Sequence, residues 1–450
     1  MFKTINPYTQ ELLAEYPILS QKELDAKLSL SSKAFQFWKN TTFEYRADIL
    51  KRAAQILLRD KEKFALTITL EMGKILSESR AEIEKSAGNC EFYANNAEQF
   101  LQDTPVEMGL YKSVITYQPI GAVFAIMPWN YPFWQVIRYI APCLMARNVS
   151  LLKHAPNVLG CAKHLEDIFL EAGLPEGVFQ AITIDIPQVE QVIANDVVQL
   201  ITLTGSEAAG SAVAALAGKH IKKSVMELGG SDGFIVLNDA DLERAATVAT
   251  QSRMMNAGQA CICAKRFIVV EDVANDFLDK FSQKISKLKQ GNPLEEGINM
   301  GPLARIDLAN NLSHQLQKSI SQGGILKLGG NQDQCNFQPT LLDGISADNI
   351  VFQQETFGPL ATVIRAKNEQ HAIELANNHR YGLACALWTK DLEKASHLAR
   401  QIDSGNVFVN SLVRSDSRLP FGGVKKSGYG RELGELGIKE LCNIKSIVIE

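Results

Sequence analysis

The 450-residue chain contains no CxxC pair and no HExxH motif, so its sequence supports neither a structural nor a catalytic zinc site, and no metal is expected. No stretch approaches the roughly 18 uncharged apolar residues that a membrane span needs, so no membrane partner is expected. The opening MFKTINPYTQELLAEYP carries polar and acidic residues where a secretory signal needs an apolar core, which predicts a cytoplasmic protein. Internal repeats, low-complexity tracts and Pro/Gly/Ser-rich linkers are also missing. The net charge of −4 and the scattered basic residues give no stripe for a polyanion, so nucleic acid is not an expected partner. Eight cysteines are widely spread, with Cys261 and Cys263 the only close pair, and free thiols are the default for so long a chain.

What is present belongs to an ordinary globular enzyme: 46% hydrophobic and 21% charged residues, in a length suited to roughly two or three domains. From about residue 21 to 100 the pattern is helical, as in RADILKRAAQILLRDKEKFALTITLEMGK, with apolar residues at three- and four-residue spacing and charges on the other face. After Gly121 short apolar runs alternate with helical segments: AVFAIM, VSLLK and LITLT. The alternation resumes after Gly230 with FIVL, RFIVV, ATVIRA, CALWT and NVFVN. This is the pattern of parallel sheets flanked by helices, an α/β fold in two successive units with a boundary near Gly229–Gly230. Residues 101–119 (with YKSVITYQP) and 432–450 (with KSIVIE) fit neither unit. They read as strands whose edges pair with each other or with a second subunit.

Three pieces carry chemistry. Cys261, in NAGQACICAKRF, follows a Gly-Gln turn and precedes an apolar strand, where free amides can help make a reactive thiolate; a packed structural thiol is the plainer alternative. Glu227, in VMELGG, sits at the carboxyl end of a strand, where α/β folds bind ligands. Burial there suits a general base, although an ordinary ion pair would explain it equally. Asn130, in MPWNYP, is held between two prolines with its amide free to donate to an oxyanion, or simply to cap a helix.

Together these pieces resemble the aldehyde dehydrogenase family over essentially the whole chain. PWNYP at 128–132, TGS at 204–206, ELGG at 227–230, GQAC at 258–261, ETFGP at 355–359 and PFGGVKKSGYGRE at 420–432 fall in the family's order. The resemblance implies two Rossmann-like parallel-sheet α/β domains: residues 1–100 with 120–229 binding the dinucleotide, and 230–425 carrying the nucleophile. A small β arm, 101–119 with 432–450, would join copies into a homodimer or homotetramer. It also implies that Cys261 attacks the aldehyde, Asn130 and the Cys261 amide hold the oxyanion, and Glu227 activates water on the thioester. NAD or NADP would be held by Lys153, Gly205, Ser206, Glu355 and Phe357, with Trp129 and Pro156 alongside. The family does this without a GxGxxG fingerprint. Where many NAD-preferring relatives carry a Glu three residues after the lysine, this chain has Pro156, so a 2′-phosphate meets no repulsion and the cofactor stays open.

The helix YPFWQVIRYIAPCLMA is apolar nearly all round except for Arg138, which shares a face with Trp134 and Gln135. The resemblance places that face in the substrate tunnel, where an Arg fork would hold a carboxylate; the alternative is an Arg paired with a neighbouring acid. Arg414 and Arg418, in SLVRSDSRLPFGG, would close the far side. The chain resembles most the shorter bacterial succinate-semialdehyde dehydrogenases, which implies succinate semialdehyde as substrate. Another small aliphatic aldehyde remains open, as does a non-catalytic cofactor-binding protein of the same fold. A second Arg expected just before the nucleophile is out of register, with Met255 in its place and Arg253 two residues earlier. Cys263 is read either as a packed thiol or as a redox partner of Cys261.

Overall fold

A computed structural model describes residues 1–450. An antiparallel hairpin, Phe2–Ile5 with Leu12–Tyr16, leads into four helices. Gln21–Trp38 begins where Ser20 and Glu23 form a reciprocal capping box, and Phe43–Arg59 begins on the Thr42 hydroxyl. Lys61–Met72 ends at Gly73, whose φ of 79° is the left-handed stop that glycine adopts without strain. Leu76–Phe100 follows, and its apolar side packs with Phe43–Arg59 and the later helix Trp134–Met145 in the largest core cluster.

The other side of Leu76–Phe100 is unusual. Glu78, Glu82, Lys85 and Asn89 recur at four-, three- and four-residue spacing, which makes one stripe on a helix. The sequence pattern puts charges of this segment on a solvent face. Instead the stripe turns inward, because turns elsewhere leave backbone amides that need acceptors. The Glu82 carboxylate accepts from the amides of Phe133 (2.8 Å) and Trp134 (3.0 Å) and pairs with the fully buried Lys74. Lys74 in turn lies over the Tyr131 ring, 3.7 Å from its centroid.

Two sheets organise the rest. The first is parallel in the order Phe179–Ala181, Val149–His154, Ala122–Met127, Val198–Thr204, Lys223–Glu227, with Gly428–Tyr429 added antiparallel at the last edge. The chain moves outward from Ala122–Met127, then returns to its other side with Val198–Thr204. The strand order therefore reverses between these two, which opens a crevice at their carboxyl ends. The second sheet runs Ile325–Leu328, Thr340–Asp343, Leu360–Ala366, Ala264–Val270, Asp232–Val236, Ala384–Trp388, Asn406–Val409, parallel except for its first strand. The α/β class expected from the sequence is what the chain adopts, and all eight apolar runs lie on strands. Four strands of these two sheets carried no readable signal: Phe179–Ala181, Thr340–Asp343 and Gly428–Tyr429 are too short for a pattern, and Ile325–Leu328 is a largely exposed edge.

Thr104–Pro105, Lys112–Pro119 and Cys442–Ile449 form a separate three-stranded arm, with Lys112 opposite Ile449 and Pro119 opposite Cys442. No helix of the structure is long and apolar enough to cross a membrane.

Removing Glu82 would strand a buried ammonium and two amides. Glu82→Ala is expected to lower unfolding free energy by about 3–5 kcal/mol, the range for breaking a buried pair. Urea denaturation followed by circular dichroism checks this, and a change below about 1 kcal/mol would refute the tie.

Candidate active site

The crevice at the strand reversal is a cavity of ≈ 350 Å³. The turn after Ala122–Met127 contributes Pro128, Trp129 and Asn130; the end of Val198–Thr204 contributes Thr204, Gly205 and Ser206; the end of Lys223–Glu227 contributes Leu228 and Gly229. Gln135, Cys261, Arg305, Leu308, Glu355 and Phe357 complete the wall. Ser206 caps the helix Glu207–Lys219, its hydroxyl accepting from Ala209 N, so the first-turn amides of that helix face the crevice. Trp129 and Phe357 meet edge to face, with centroids 5.7 Å apart. Glu355 accepts from Gly230 N at 3.1 Å, and a side chain at Gly229 would overlap its carboxylate.

Cys261 follows a strained turn. Asn256 and Ala257 both have φ of 51°, a left-handed conformation costly for alanine. Surrounding hydrogen bonds impose it. Both oxygens of Glu78 accept from Asn256 N at 3.1 Å, while Asn256 Nδ2 donates to Asn130 O (2.9 Å) and Gln259 O (3.1 Å). Gly258, φ 74°, approaches Gly358 so closely that a Cβ would overlap its carbonyl. Arg253 ties the same turn to Thr356 O at 2.8 Å and to Gly358 O. It is a buried brace and not a ligand of the cavity.

Beneath the nucleophile lies Lys265, which the sequence reading passed over. Fully buried, it donates to Ala260 O (3.0 Å) and Cys261 O (2.6 Å), and its ammonium is 3.3 Å from Glu355 Oε1. Burial pushes the Cys261 thiol up to about 12, with Lys265 and then Arg138 opposing the rise. The free protein therefore holds a neutral thiol. Asn130 shares its wall: Nδ2 donates to Gln259 O at 2.9 Å and Oδ1 accepts from Gln135 Nε2 at 3.1 Å. The carboxamide is thus locked, with one amide hydrogen left for the cavity.

Glu227 is buried at the end of its strand, and its Oε1 has no hydrogen-bond partner and lies against Gly422. Burial first, and Glu432 second, hold its carboxyl well above the usual range. It is adjacent to the cavity but not on its wall.

The basic residues expected to hold the substrate lie off the wall of this cavity. Arg138 was expected in the tunnel; instead it is buried beneath the wall, its Nε paired with Glu432 and its Nη2 donating to Thr204 Oγ1 at 3.2 Å. A guanidinium sealed among apolar neighbours needs a counter-charge, and the C-terminal segment supplies one. Arg418 is exposed and bonded to Asp416 in its own loop, and Arg414 is exposed on the same loop. Trp134 is buried off the cavity wall, with the Lys85 ammonium over its ring. Lys153, next to last in the strand Val149–His154, is half-buried with its pKa lowered by burial, and Pro156, itself exposed, opens a short turn whose Asn157 and Val158 are buried; both lie outside the cavity wall. Cys263 is a buried free thiol facing Met255 O at 3.8 Å.

With this geometry in view, comparison with known proteins is direct. Residues 1–447 match the model of the aldehyde dehydrogenase family. The chain is 42% identical over 447 residues to the succinate semialdehyde dehydrogenase [NAD(P)+] Sad of Escherichia coli, covering 99% of this chain and 97% of that one. It is 44% identical over 449 residues to a probable succinate-semialdehyde dehydrogenase [NADP(+)] of Synechocystis, covering 99% of each. The crystal structure of a succinic semialdehyde dehydrogenase from Streptococcus pyogenes with NADP+ superposes with a TM-score of 0.98 at 35% identity, covering 100% of both chains. The crevice, the nucleophile turn and these likenesses agree: the chain belongs to the aldehyde dehydrogenase family.

Proposed function

We propose that the protein oxidises succinate semialdehyde to succinate with NAD or NADP. The observation that carries this reading is the meeting of Cys261 and Asn130 with Glu355 around one crevice at the strand reversal. The similarity to succinate-semialdehyde dehydrogenases, including one solved with NADP+, supports the substrate and the cofactor.

The residues fit a dinucleotide. Gly205 and Gly229 leave room for a close approach, first-turn amides after Ser206 suit a diphosphate, and Glu355 suits ribose hydroxyls between Trp129 and Phe357. Lys153 and Pro156 stand one strand further out, with no carboxylate of their own to repel a 2′-phosphate. When bound, the nicotinamide accepts the hydride that the aldehyde carbon loses.

The chain's own groups do the rest. Cys261 Sγ, once deprotonated, attacks the aldehyde carbon, while Asn130 Nδ2 and the Cys261 amide hold the oxyanion. Each such donor is worth roughly 3–4 kcal/mol in the transition state. Loss of hydride leaves a thioester on Cys261. Glu227 then turns toward the thioester and takes a proton from the attacking water, and the C–S bond breaks to release the acid and restore the thiol. Its raised pKa makes it a stronger base once ionised, so hydrolysis rises with pH as Glu227 loses its proton. We also propose a homodimer or homotetramer, joined through the arm, where Ile444 is 59% and Val448 51% exposed. A location in the cytoplasm is consistent with this reading.

Three outcomes test it. Absorbance at 340 nm should rise with succinate semialdehyde and either cofactor, and Cys261→Ala should reduce the signal to background; no signal with any aldehyde would refute the reading. Glu227→Gln should give one equivalent of reduced cofactor per site in a rapid burst, then turnover slower by about 100-fold or more; a variant with full turnover would remove Glu227 from hydrolysis. Light scattering should give a dimer or tetramer, and Ile444→Asp with Val448→Asp should shift it to monomer.

A further inference from the structure

The cavity accounts for the aldehyde end of the substrate, and the cation on its wall, Arg305, is already bonded to Asp307 at 2.9 and 2.8 Å. Arg138 is engaged by Glu432 and Thr204, and Arg418 by Asp416, while Arg414 is exposed on the outer loop. Lys85 is differently placed. It lies on the inward stripe of Leu76–Phe100, between Glu82, which holds the Trp134 amide, and Asn89, which bonds Ile137 O (3.1 Å) and the Ser417 hydroxyl (2.7 Å). Both flanking contacts fix this part of the stripe against the helix Trp134–Met145 and the 413–418 loop.

The Lys85 ammonium stands 4.0 Å from the centroid of the Trp134 ring and donates to Ser415 Oγ at 2.8 Å. Trp134 is the chain neighbour of Gln135, which lines the cavity beside Asn130. Part of the side chain is open to solvent, while the ammonium end sits in the half-buried contact with Ser415. Its one side-chain hydrogen bond goes to a neutral hydroxyl, so two of its three donors remain. An aromatic platform and a hydroxyl hold this ammonium in place without neutralising it. Such a group is preorganised for an anion arriving from outside.

We propose that Lys85, seated on Trp134 and bonded to Ser415, is the specificity-determining cation that receives the far carboxylate of the aldehyde. This rests on the substrate reading above and names the residue that reading lacks.

Four charged neighbours face Lys85. Burial of the ammonium, followed by repulsion from Arg138 and, more weakly, Arg414, lowers its pKa to about 8, against the opposing pull of Glu82 and Asp416. The ammonium is charged below that pH and loses its charge above it. Carboxylate recognition by Lys85 therefore fades as pH rises past about 8, whereas an arginine in its place stays charged.

The experiment compares kcat/KM for succinate semialdehyde and butyraldehyde, taken as a ratio so that ionisation of Cys261 cancels. Wild type should favour succinate semialdehyde. Lys85→Met and Lys85→Gln should each lower the ratio about 30-fold, mainly through KM for the acid-bearing aldehyde. Lys85→Gln keeps a donor for Ser415, which separates loss of charge from loss of packing. Lys85→Arg should retain most of the ratio and abolish its decline above pH 8. If the ratio stays within twofold of wild type in both neutral variants, Lys85 has no such role and the substrate reading stands. If wild type itself shows no preference, the substrate reading falls and the role of Lys85 falls with it.

Discussion

The active site depends first on the buried carboxylate of Glu82. It closes an ion pair with Lys74 and accepts two amides at the start of the helix Trp134–Met145. Those amides have no intrahelical partners, and in a water-free interior each would cost roughly 1–3 kcal/mol if left unpaired. The carboxylate therefore dictates where that helix begins, and hence where the Pro128–Phe133 turn presents Asn130. Four residues earlier, Glu78 does the same for the nucleophile turn through Asn256 N. One helix face thus sets the spacing between Asn130 and the thiol. Both acids are rigid because the helix that carries them is packed into the main core.

The electrostatics of the nucleophile follow from the same burial. A thiol pushed up to about 12 is unreactive near neutrality, so water and stray electrophiles find little thiolate in the free protein. Lys265 is the principal opposing charge, and Glu355 shares it at 3.3 Å. One buried lysine thus faces both the thiol and the carboxylate on the cavity wall.

The sequence displayed the central strands of both sheets because parallel strands covered on each face read as continuous apolar runs. AVFAIM and RFIVV are unmistakable in that respect. Cys261, Asn130 and Glu355 were legible for a different reason, since each lies in a short motif whose order resembles a known family. The inward stripe was not legible. Its acids and Lys85 look like any solvated helix face until the turns they support are known, although the spacing 78, 82, 85, 89 was there to be seen. The partner of Arg138 was not legible because Glu432 lies 294 residues away in the sequence. Periodicity along a helix reports which way a side chain points, and it carries no information about which distant segment arrives to meet it.

That distant segment has a chemical consequence. Gly428–Tyr429 pairs with the edge of the first sheet, opposite Met226 and Glu227, and so carries Glu432 to Arg138. Two carboxyls then compete for one guanidinium, and Glu432 holds it. Arg138 lowers the pKa of Glu227 less than Glu432 and burial raise it, so Glu227 stays a weak acid. Were Glu432 absent, the same guanidinium would be free to pair with Glu227 and hold it as a stable anion of low basicity. A base that must take a proton from water near neutrality cannot be tied to a permanent cation at close range. In the proposed mechanism the buried pair contributes by occupying Arg138, which leaves the Glu227 carboxyl unpartnered and high in pKa, as a base for the thioester step requires.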